Sequence, residues 1–220
     1  MRFHDRREAG QELAARLTEW AAGGDLVRPV VLALPRGGVP VAAPVAQALS
    51  APLDVLVARK IGLPGQPELG VGAIVGDDPP LFDGRTFQML GLDEDSLGPQ
   101  VARERTELHR REVLYRGDRP ATDVTDRTVI VIDDGLATGV TARAALRHLR
   151  RRNPGRLILA VPVGAPDSVA AMSQEADDVL CLYQPPEFRA VGEWYANFDQ
   201  TGDDEVIDIL RRHSAPAPER

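Results

Sequence analysis

The 220-residue sequence lacks most features that mark secreted or membrane proteins. Its one cysteine, Cys181, excludes a disulfide framework and any multi-cysteine zinc site. No run approaches the roughly 20 apolar residues that a membrane span requires. Residues 1–5 lack the apolar core of a signal peptide. We therefore expect a cytoplasmic protein that has no membrane partner.

Lysine is also nearly absent, because the 26 basic residues comprise 25 arginines and Lys60. A bias that replaces lysine by arginine explains this count, and the lysine that remains marks a position to examine. Acidic residues number 33, so the formal net charge is −7. This balance argues against a nucleic-acid partner.

Short, continuous apolar runs alternate with amphipathic segments along the chain. Such runs are typical of strands buried on both faces, and their alternation with helices indicates a parallel sheet. The predicted fold class is α/β, with a twisted parallel sheet of about five strands flanked by helices. The strands are predicted at 29–34, 53–58, 128–132, 157–163 and 179–182, and the helices at 5–22, 39–50, 141–152, 167–174 and 203–212.

Three segments do not fit this alternation. Residues 61–84 are rich in glycine and proline and predict a long loop with a hairpin. Residues 97–116 carry opposite charges three or four apart, which favours a solvated helix. Residues 184–200 are irregular but contain four of the ten aromatic residues.

The predicted organisation is an N-terminal helix (1–27), a core (28–183), a segment that ends in the last helix (184–213), and a tail (214–220).

The most informative segment runs from Val129 to Thr141, with the sequence VIVIDDGLATGVT. Asp133 and Asp134 follow a buried strand, at the edge where open α/β sheets bind ligands. The glycine-containing loop after them leads into a helix N-terminus, whose free N–H groups suit a phosphate. Carboxylates repel phosphate, so they should contact sugar hydroxyls or a metal ion on the same ligand. We therefore predict a sugar-phosphate site, the alternative being that the aspartates merely cap the loop.

Two other phosphate-binding patterns are missing from the sequence. The segment has no P-loop lysine, and no G-x-G-x-x-G follows a strand. Nucleoside triphosphate and dinucleotide folds are therefore disfavoured.

The segment resembles the signature of the type I phosphoribosyltransferases: four apolar residues, two acids, two variable residues, a small residue, Thr-Gly, one variable residue and Thr. In that family the motif binds the ribose 5-phosphate part of phosphoribosyl pyrophosphate. The resemblance assigns this role to Asp133, Asp134, Gly135, Ala137, Thr138, Gly139, Val140 and Thr141.

Further segments resemble the family in the same order. Arg36, Gly37 and Gly38 resemble its pyrophosphate loop, which often begins with a cis peptide. Arg59 and Lys60 resemble the point where its flexible lid begins, so 61–84 would be the lid. The segment 184–200 resembles the hood that sandwiches the base in purine-type members. The hood residues would be Phe188, Val191, Trp194 and Tyr195, the alternative being that the aromatic residues only close the edge of the sheet.

The resemblance implies transfer of ribosyl 5-phosphate to a nitrogenous base, with release of pyrophosphate and an oxocarbenium-like transition state. It implies Mg²⁺ as cofactor, held mainly by the ligand, with Asp133 and Asp134 as further oxygen donors and no direct protein cage. Arg59 would bind the pyrophosphate together with Arg36 and Lys60, whose side chains would add positive potential there. A homodimer is common in the family, although no feature of this sequence points to one.

The sequence departs from the family's oxopurine pattern at Ala137, where oxopurine enzymes carry an acid. The loop resembles adenine- and orotate-type loops instead, so we expect a purine-like acceptor of the adenine type. The hood also has no acid soon after Val191, and Asp199 lies further on. Glu68, in the predicted lid, is the candidate general base, the alternative being an exposed loop carboxylate.

Two alternatives to the transferase remain open. The chain could be a regulatory protein that senses phosphoribosyl pyrophosphate without converting it, or a hydrolase that uses water as acceptor. The retained Arg36-Gly37-Gly38 segment and Lys60 favour the transferase.

Overall fold

The computed structural model describes residues 3–24 and 26–213, so the predicted tail at 214–220 lies outside the described part. Its helices and strands follow in the order α1 (Arg6–Ala22), β1 (Val30–Ala33), α2 (Gly38–Ala48), β2 (Leu53–Val55), β3 (Ala58–Leu63), β4 (Gln66–Val75), β5 (Leu81–Phe82), α3 (Gly84–Leu90), α4 (Gly98–Arg116), β6 (Thr128–Ile132), α5 (Val140–Arg150), β7 (Arg156–Val163), α6 (Pro166–Met172), β8 (Asp178–Tyr183) and α7 (Asp203–His213). Among these described helices, none has both the length and the apolar character to cross a membrane.

The central sheet has the strand order β2-β1-β6-β7-β8, and every neighbouring pair is parallel. All residues of β1 and β6 are buried, as expected for strands covered by helices on both faces. The five-stranded parallel α/β sheet confirms the predicted fold class. Each predicted strand except the second matches an observed strand to within one residue at either end.

The N-terminal helix packs closely on the helix that follows β1. Asp5 begins α1, because its carboxylate accepts a hydrogen bond from the Glu8 backbone N–H at 2.9 Å. A Cβ at Gly10 would lie 2.4 Å from the Val41 carbonyl oxygen of α2. Only glycine therefore allows α1 to approach α2 this closely, and the start of α1 is held near the end of β1.

Residues 61–84 differ from the predicted long loop. They contribute to a three-stranded antiparallel sheet, β3-β4-β5, and α3 begins at Gly84. The hairpin is confirmed, but the predicted strand at 53–58 divides, since β2 ends at Val55 and β3 begins at Ala58. The buried side chains of Ile61 and Ile74 pack in the main core, which stabilises the small sheet.

Helix α4 confirms the predicted charged helix and holds the small sheet in place. The Glu104 carboxylate pairs with the Arg59 guanidinium of β3 at 2.6 Å. Arg105 donates hydrogen bonds to the backbone oxygens of Gly76 and Asp78 at 2.6 and 2.8 Å. The polar contacts of α4 therefore position β3 and the turn after β4.

A buried ion pair secures the end of the same helix. Asp54 of β2 is 3% exposed. It accepts hydrogen bonds from the Arg116 guanidinium at 3.2 Å and from the Thr122 hydroxyl at 2.9 Å. Its carboxylate thus joins β2, α4 and the chain that leads into β6.

We predict that Asp54→Ala lowers the free energy of unfolding by about 3 kcal/mol, because the largely buried Arg116 guanidinium loses its hydrogen-bonded carboxylate and keeps, of its described carboxylate partners, only the more distant Glu112, at 3.6 Å. Chemical denaturation monitored by circular dichroism measures this loss. Asp118→Asn, at an exposed position after α4, is the control and should change stability little. Equal stability of the two variants would contradict the assigned role of Asp54.

Candidate ligand site at the carboxyl edge of the sheet

Two loops meet at the carboxyl ends of the neighbouring strands β1 and β6. Ala33 and Ile132 are register partners, so the residues that follow each strand emerge side by side. A Cβ at Gly37 would lie 2.0 Å from an Asp134 carboxylate oxygen, and one at Gly38 would lie 2.6 Å from the Ile132 carbonyl oxygen. The peptide bond between Pro35 and Arg36 is cis. The two loops predicted to bind the ligand therefore lie against each other, and glycine is required at both contact positions.

The loop after Asp134 leads directly into the N-terminus of α5. Gly139 precedes the helix with φ of 72°, in the left-handed region that glycine adopts easily. No side chain of the described residues caps this helix end. Its first-turn N–H groups therefore point into the loop and suit an anion. Of the predicted phosphate-binding residues, Ala137 and Thr138 are exposed, whereas Val140 and Thr141 lie partly buried in the first turn.

Asp133 and Asp134 place two carboxyl groups next to each other at the start of this loop. The Asp133 carboxylate accepts a hydrogen bond from the Asp134 N–H at 2.9 Å. Burial, followed by the neighbouring charge of Asp134, raises the pKa of Asp133 well above its usual range. Burial also raises the pKa of Asp134, although Arg6 acts in the opposite direction. The pair is therefore suited to hydrogen bonds with hydroxyl groups of a ligand.

Arg6 is a site residue that the sequence did not reveal. Its Nε donates a hydrogen bond to the Asp134 carboxylate at 2.8 Å. Its guanidinium also lies 3.9 Å from the ring centroid of Phe198. Arg6 stands in the first turn of an ordinary amphipathic helix, next to the exposed Arg7, and no local pattern distinguishes the two.

The cationic residues predicted to bind pyrophosphate occupy different surroundings. Arg36 lies beside the Asp203 carboxylate at the start of α7, at 3.7 Å. Arg59 pairs with Glu104, as described above, and Lys60 follows it on the opposite face of β3 because strand side chains alternate. Lys60 is exposed, and its aliphatic stem crosses Gly70, where a Cβ would lie 2.6 Å from Lys60 Cδ. Arg59 and Lys60 therefore do not share one face.

The predicted hood covers the loop after β6 from the side of β8. Val191 packs on Gly135, where a Cβ would lie 2.5 Å from the Val191 side chain. Tyr195 is 1% exposed, and its hydroxyl donates to the Asp134 backbone oxygen at 2.6 Å. Trp194 stacks on Tyr183, with ring centroids 6.1 Å apart. Phe188 is partly buried.

These contacts divide the hood by role. Tyr195 and Trp194 belong to a small aromatic core around Phe3. Val191 packs against the same cluster as Trp194 does, whereas Phe188 is not among the described residues of that cluster. Val191, which also contacts Gly135, and Phe188 stay candidates for contact with a base.

Comparison with known proteins agrees with this geometry. The model of the phosphoribosyl transferase domain family matches residues 5–205. The chain belongs to the phosphoribosyltransferase family. It is 45% identical over 210 residues to a Mycobacterium tuberculosis protein provisionally named as a phosphoribosyl transferase, an alignment that covers 96% of this chain and 46% of the relative. The chain thus spans about half the length of the curated relatives it matches first.

Other similarities support the same fold. The crystal structure of TT1426 from Thermus thermophilus covers 98% of this chain with a TM-score of 0.79 and 39% identity, and all of that protein is matched. A uracil phosphoribosyltransferase of Lactobacillus delbrueckii is 44% identical over 57 residues, which are 26% of this chain and 27% of the relative. The structure of the AQ2163 protein from Aquifex aeolicus, with a TM-score of 0.53 and 13% identity, covers 96% of this chain and 87% of that protein and is similar in fold.

The carboxylates of this phosphoribosyltransferase chain fit a loosely held Mg²⁺. Asp133 and Asp134 supply the oxygen donors that Mg²⁺ prefers. Within the described residues, however, no group of three or more His, Cys, Asp or Glu side chains is arranged to hold a metal. One oxygen of Asp134 is also occupied by Arg6. The donor set therefore suits an ion whose remaining ligands come from a bound phosphate or from water.

We predict that Gly38→Ala lowers the free energy of unfolding by about 2 kcal/mol, because its methyl group would overlap the end of β6. The matched control is Gly98→Ala at the start of α4, where nothing lies within 4 Å of a new Cβ. Thermal and chemical denaturation of both variants measure the difference. If Gly38→Ala is as stable as its control, the two loops are not packed as described.

Proposed function

We propose that the chain is a phosphoribosyltransferase that binds phosphoribosyl pyrophosphate with Mg²⁺ and transfers its ribosyl 5-phosphate to a nitrogenous base, releasing pyrophosphate. The observation that carries this proposal is the joint site at the ends of β1 and β6. There an uncapped helix N-terminus, two adjacent carboxyl groups and a glycine-dependent loop lie together. A sugar that carries a phosphate at one end and a diphosphate at the other fits these three features. Its phosphate suits the helix N-terminus, its hydroxyls suit the carboxyl groups, and its diphosphate suits the glycine-dependent loop.

In this proposal each part of the site binds one part of the donor. The backbone N–H groups of 138–141 bind the 5-phosphate, and the carboxylates of Asp133 and Asp134 accept hydrogen bonds from the ribose hydroxyls. The loop at Arg36, Gly37 and Gly38 receives the diphosphate. The Arg36 and Lys60 side chains stabilise negative charge as the bond to the anomeric carbon breaks. Mg²⁺, when bound, neutralises the leaving diphosphate.

The acceptor enters between this site and the hood. Ala137 replaces the acid of oxopurine enzymes, which favours an adenine-type acceptor. The similarity to a uracil phosphoribosyltransferase over 57 residues makes a pyrimidine the second candidate. Glu68 stays a proposed general base, since its side chain lies outside the described part of the structure.

The proposal is tested by following pyrophosphate release from phosphoribosyl pyrophosphate and Mg²⁺ in the presence of adenine, uracil, orotate, hypoxanthine or no base. We expect release that depends on one base and that stops when EDTA removes Mg²⁺. Release that needs no base would identify a hydrolase instead. Binding without release under every condition would identify a sensor, and no binding would refute the site.

We predict that the double variant Asp133→Asn, Asp134→Asn weakens phosphoribosyl pyrophosphate binding at least about 100-fold, since it removes both carboxyl groups that would hydrogen-bond the ribose hydroxyls. Isothermal calorimetry measures the affinity. Asp93→Asn, Asp95→Asn is the matched control, because it removes the same charge at exposed positions before α4. Undiminished binding by the site variant would contradict the assignment.

We predict graded losses when Lys60 is replaced. Lys60→Ala should lower kcat/KM for phosphoribosyl pyrophosphate about 100-fold, the cost of removing one group that stabilises developing charge. Lys60→Arg should fall between this variant and the wild type, because a planar guanidinium cannot take the place of a compact ammonium group. Steady-state kinetics with the accepted base measure both variants. Full turnover by Lys60→Arg would show that the reaction does not require a lysine at position 60.

A further inference from the structure

Arg6 connects three parts of the site that are distant along the chain. Its Nε donates to the Asp134 carboxylate at 2.8 Å, and its terminal nitrogen donates to the Asp199 backbone oxygen at 2.7 Å. A Cβ at Gly37 would lie 3.2 Å from Arg6 Nε, so the side chain also borders the loop after β1. One guanidinium therefore contacts the ribose-binding acid and the hood, and it lies against the diphosphate loop.

The environment of Arg6 leaves its guanidinium little freedom. The side chain is 12% exposed, whereas the adjacent Arg7 is exposed. The ring of Phe198 lies under the guanidinium at 3.9 Å, and Phe198 in turn stacks on Tyr195 at 5.0 Å. A planar cation between an aromatic face and a carbonyl oxygen has a defined orientation. That orientation directs Nε at Asp134.

The backbone next to Arg6 binds the hood as well. Phe3 donates to the Trp194 oxygen and accepts from the Ala196 N–H, both at 2.8 Å. The His4 oxygen accepts from the Asn197 N–H at 2.8 Å. Residues 3–6 therefore form a strap that joins the hood to the start of α1, and the Arg6 side chain extends this strap to Asp134.

Asp134 is thus held from two sides by groups outside its own loop. Arg6 binds its carboxylate, and the Tyr195 hydroxyl binds its backbone oxygen. Both groups belong to the strap and hood, so a movement of the hood would also move the acid. Asp133, by contrast, is hydrogen-bonded within the loop, to the Asp134 N–H.

We propose that Arg6 is a positioning residue for sugar binding, which orients the Asp134 carboxylate toward the ribose hydroxyls and couples its position to the hood. This inference rests on the proposed function. It assigns a role to a residue of the N-terminal helix, outside the loops that the family resemblance identified. It also predicts that the Asp134 carboxylate and the hood move together, because the same guanidinium contacts both.

The test compares Arg6→Gln and Arg6→Lys with Arg7→Gln, which removes the same charge from the exposed neighbour. We expect Arg6→Gln to raise the Kd and KM for phosphoribosyl pyrophosphate about tenfold or more, as loss of a hydrogen bond between charged groups implies. The effect on kcat should be smaller. Arg6→Lys should recover part of the affinity, because an ammonium group can reach one of the two acceptors. Arg7→Gln should behave as the wild type.

Hydrogen exchange supplies a readout that a purely structural role of the helix would not produce. In Arg6→Gln, amides of 194–199 should exchange faster while those of β6 and β7 stay protected. If Arg6→Gln fails to fold, Phe198→Leu takes its place, because it removes the stacking face and keeps the Arg6–Asp134 pair. That variant should show the same changes at reduced size.

The outcomes separate this inference from the proposed function. A wild-type chain that does not bind phosphoribosyl pyrophosphate refutes the function. A wild-type chain that binds it, together with a folded Arg6→Gln of equal affinity and unchanged exchange in 194–199, refutes the role of Arg6 alone. Equal losses in Arg6→Gln and Arg7→Gln would show that net charge, and not the orientation of Asp134, is responsible.

Discussion

The placement of two carboxyl groups side by side at the end of a buried strand is the constraint that shapes the rest of this site. Asp133 and Asp134 cannot both ionise there without compensation, because burial and mutual repulsion oppose it. The fold supplies a guanidinium from α1 to the Asp134 carboxylate and a loop N–H to the Asp133 carboxylate, while a hood hydroxyl binds the Asp134 backbone oxygen. These groups belong to elements far apart in sequence, so the acids also determine how those elements pack.

Close backbone packing is the second requirement of the site. Gly37 and Gly38 let the loop after β1 lie against the end of β6, and Gly10 lets α1 approach α2. These positions explain why an N-terminal helix can contribute a side chain to a site built on the central sheet. The shape of the site therefore depends on these glycines, which leave room for close packing, as much as on the side chains that line it.

The sequence predicted the parallel sheet and the loop after β6 well, because both depend on local patterns. Four apolar residues followed by two acids, glycines and hydroxyls are local signals for a strand, a turn and a helix start. The small antiparallel sheet was predicted only as a long loop with a hairpin, because its glycines and prolines are typical of loops. In the structure, Gly72 instead allows close packing against β5, where a Cβ would lie 2.7 Å from the Leu81 oxygen. Arg6 could not be identified either, since its role arises from tertiary contacts with Phe198 and Asp134.

The replacement of a loop by the small sheet has a consequence for Lys60. A residue on a flexible lid loses backbone entropy when it meets its ligand, on the order of 1–2 kcal/mol for each residue that becomes ordered. Lys60 lies on β3, which pairs with β4 from Ala58 to Leu63 and is anchored to α4 through Arg59. That entropy has already been lost on folding. In the proposed function, the ammonium group then has mainly its own side-chain rotations to restrict when it binds the diphosphate, because β3 is already ordered.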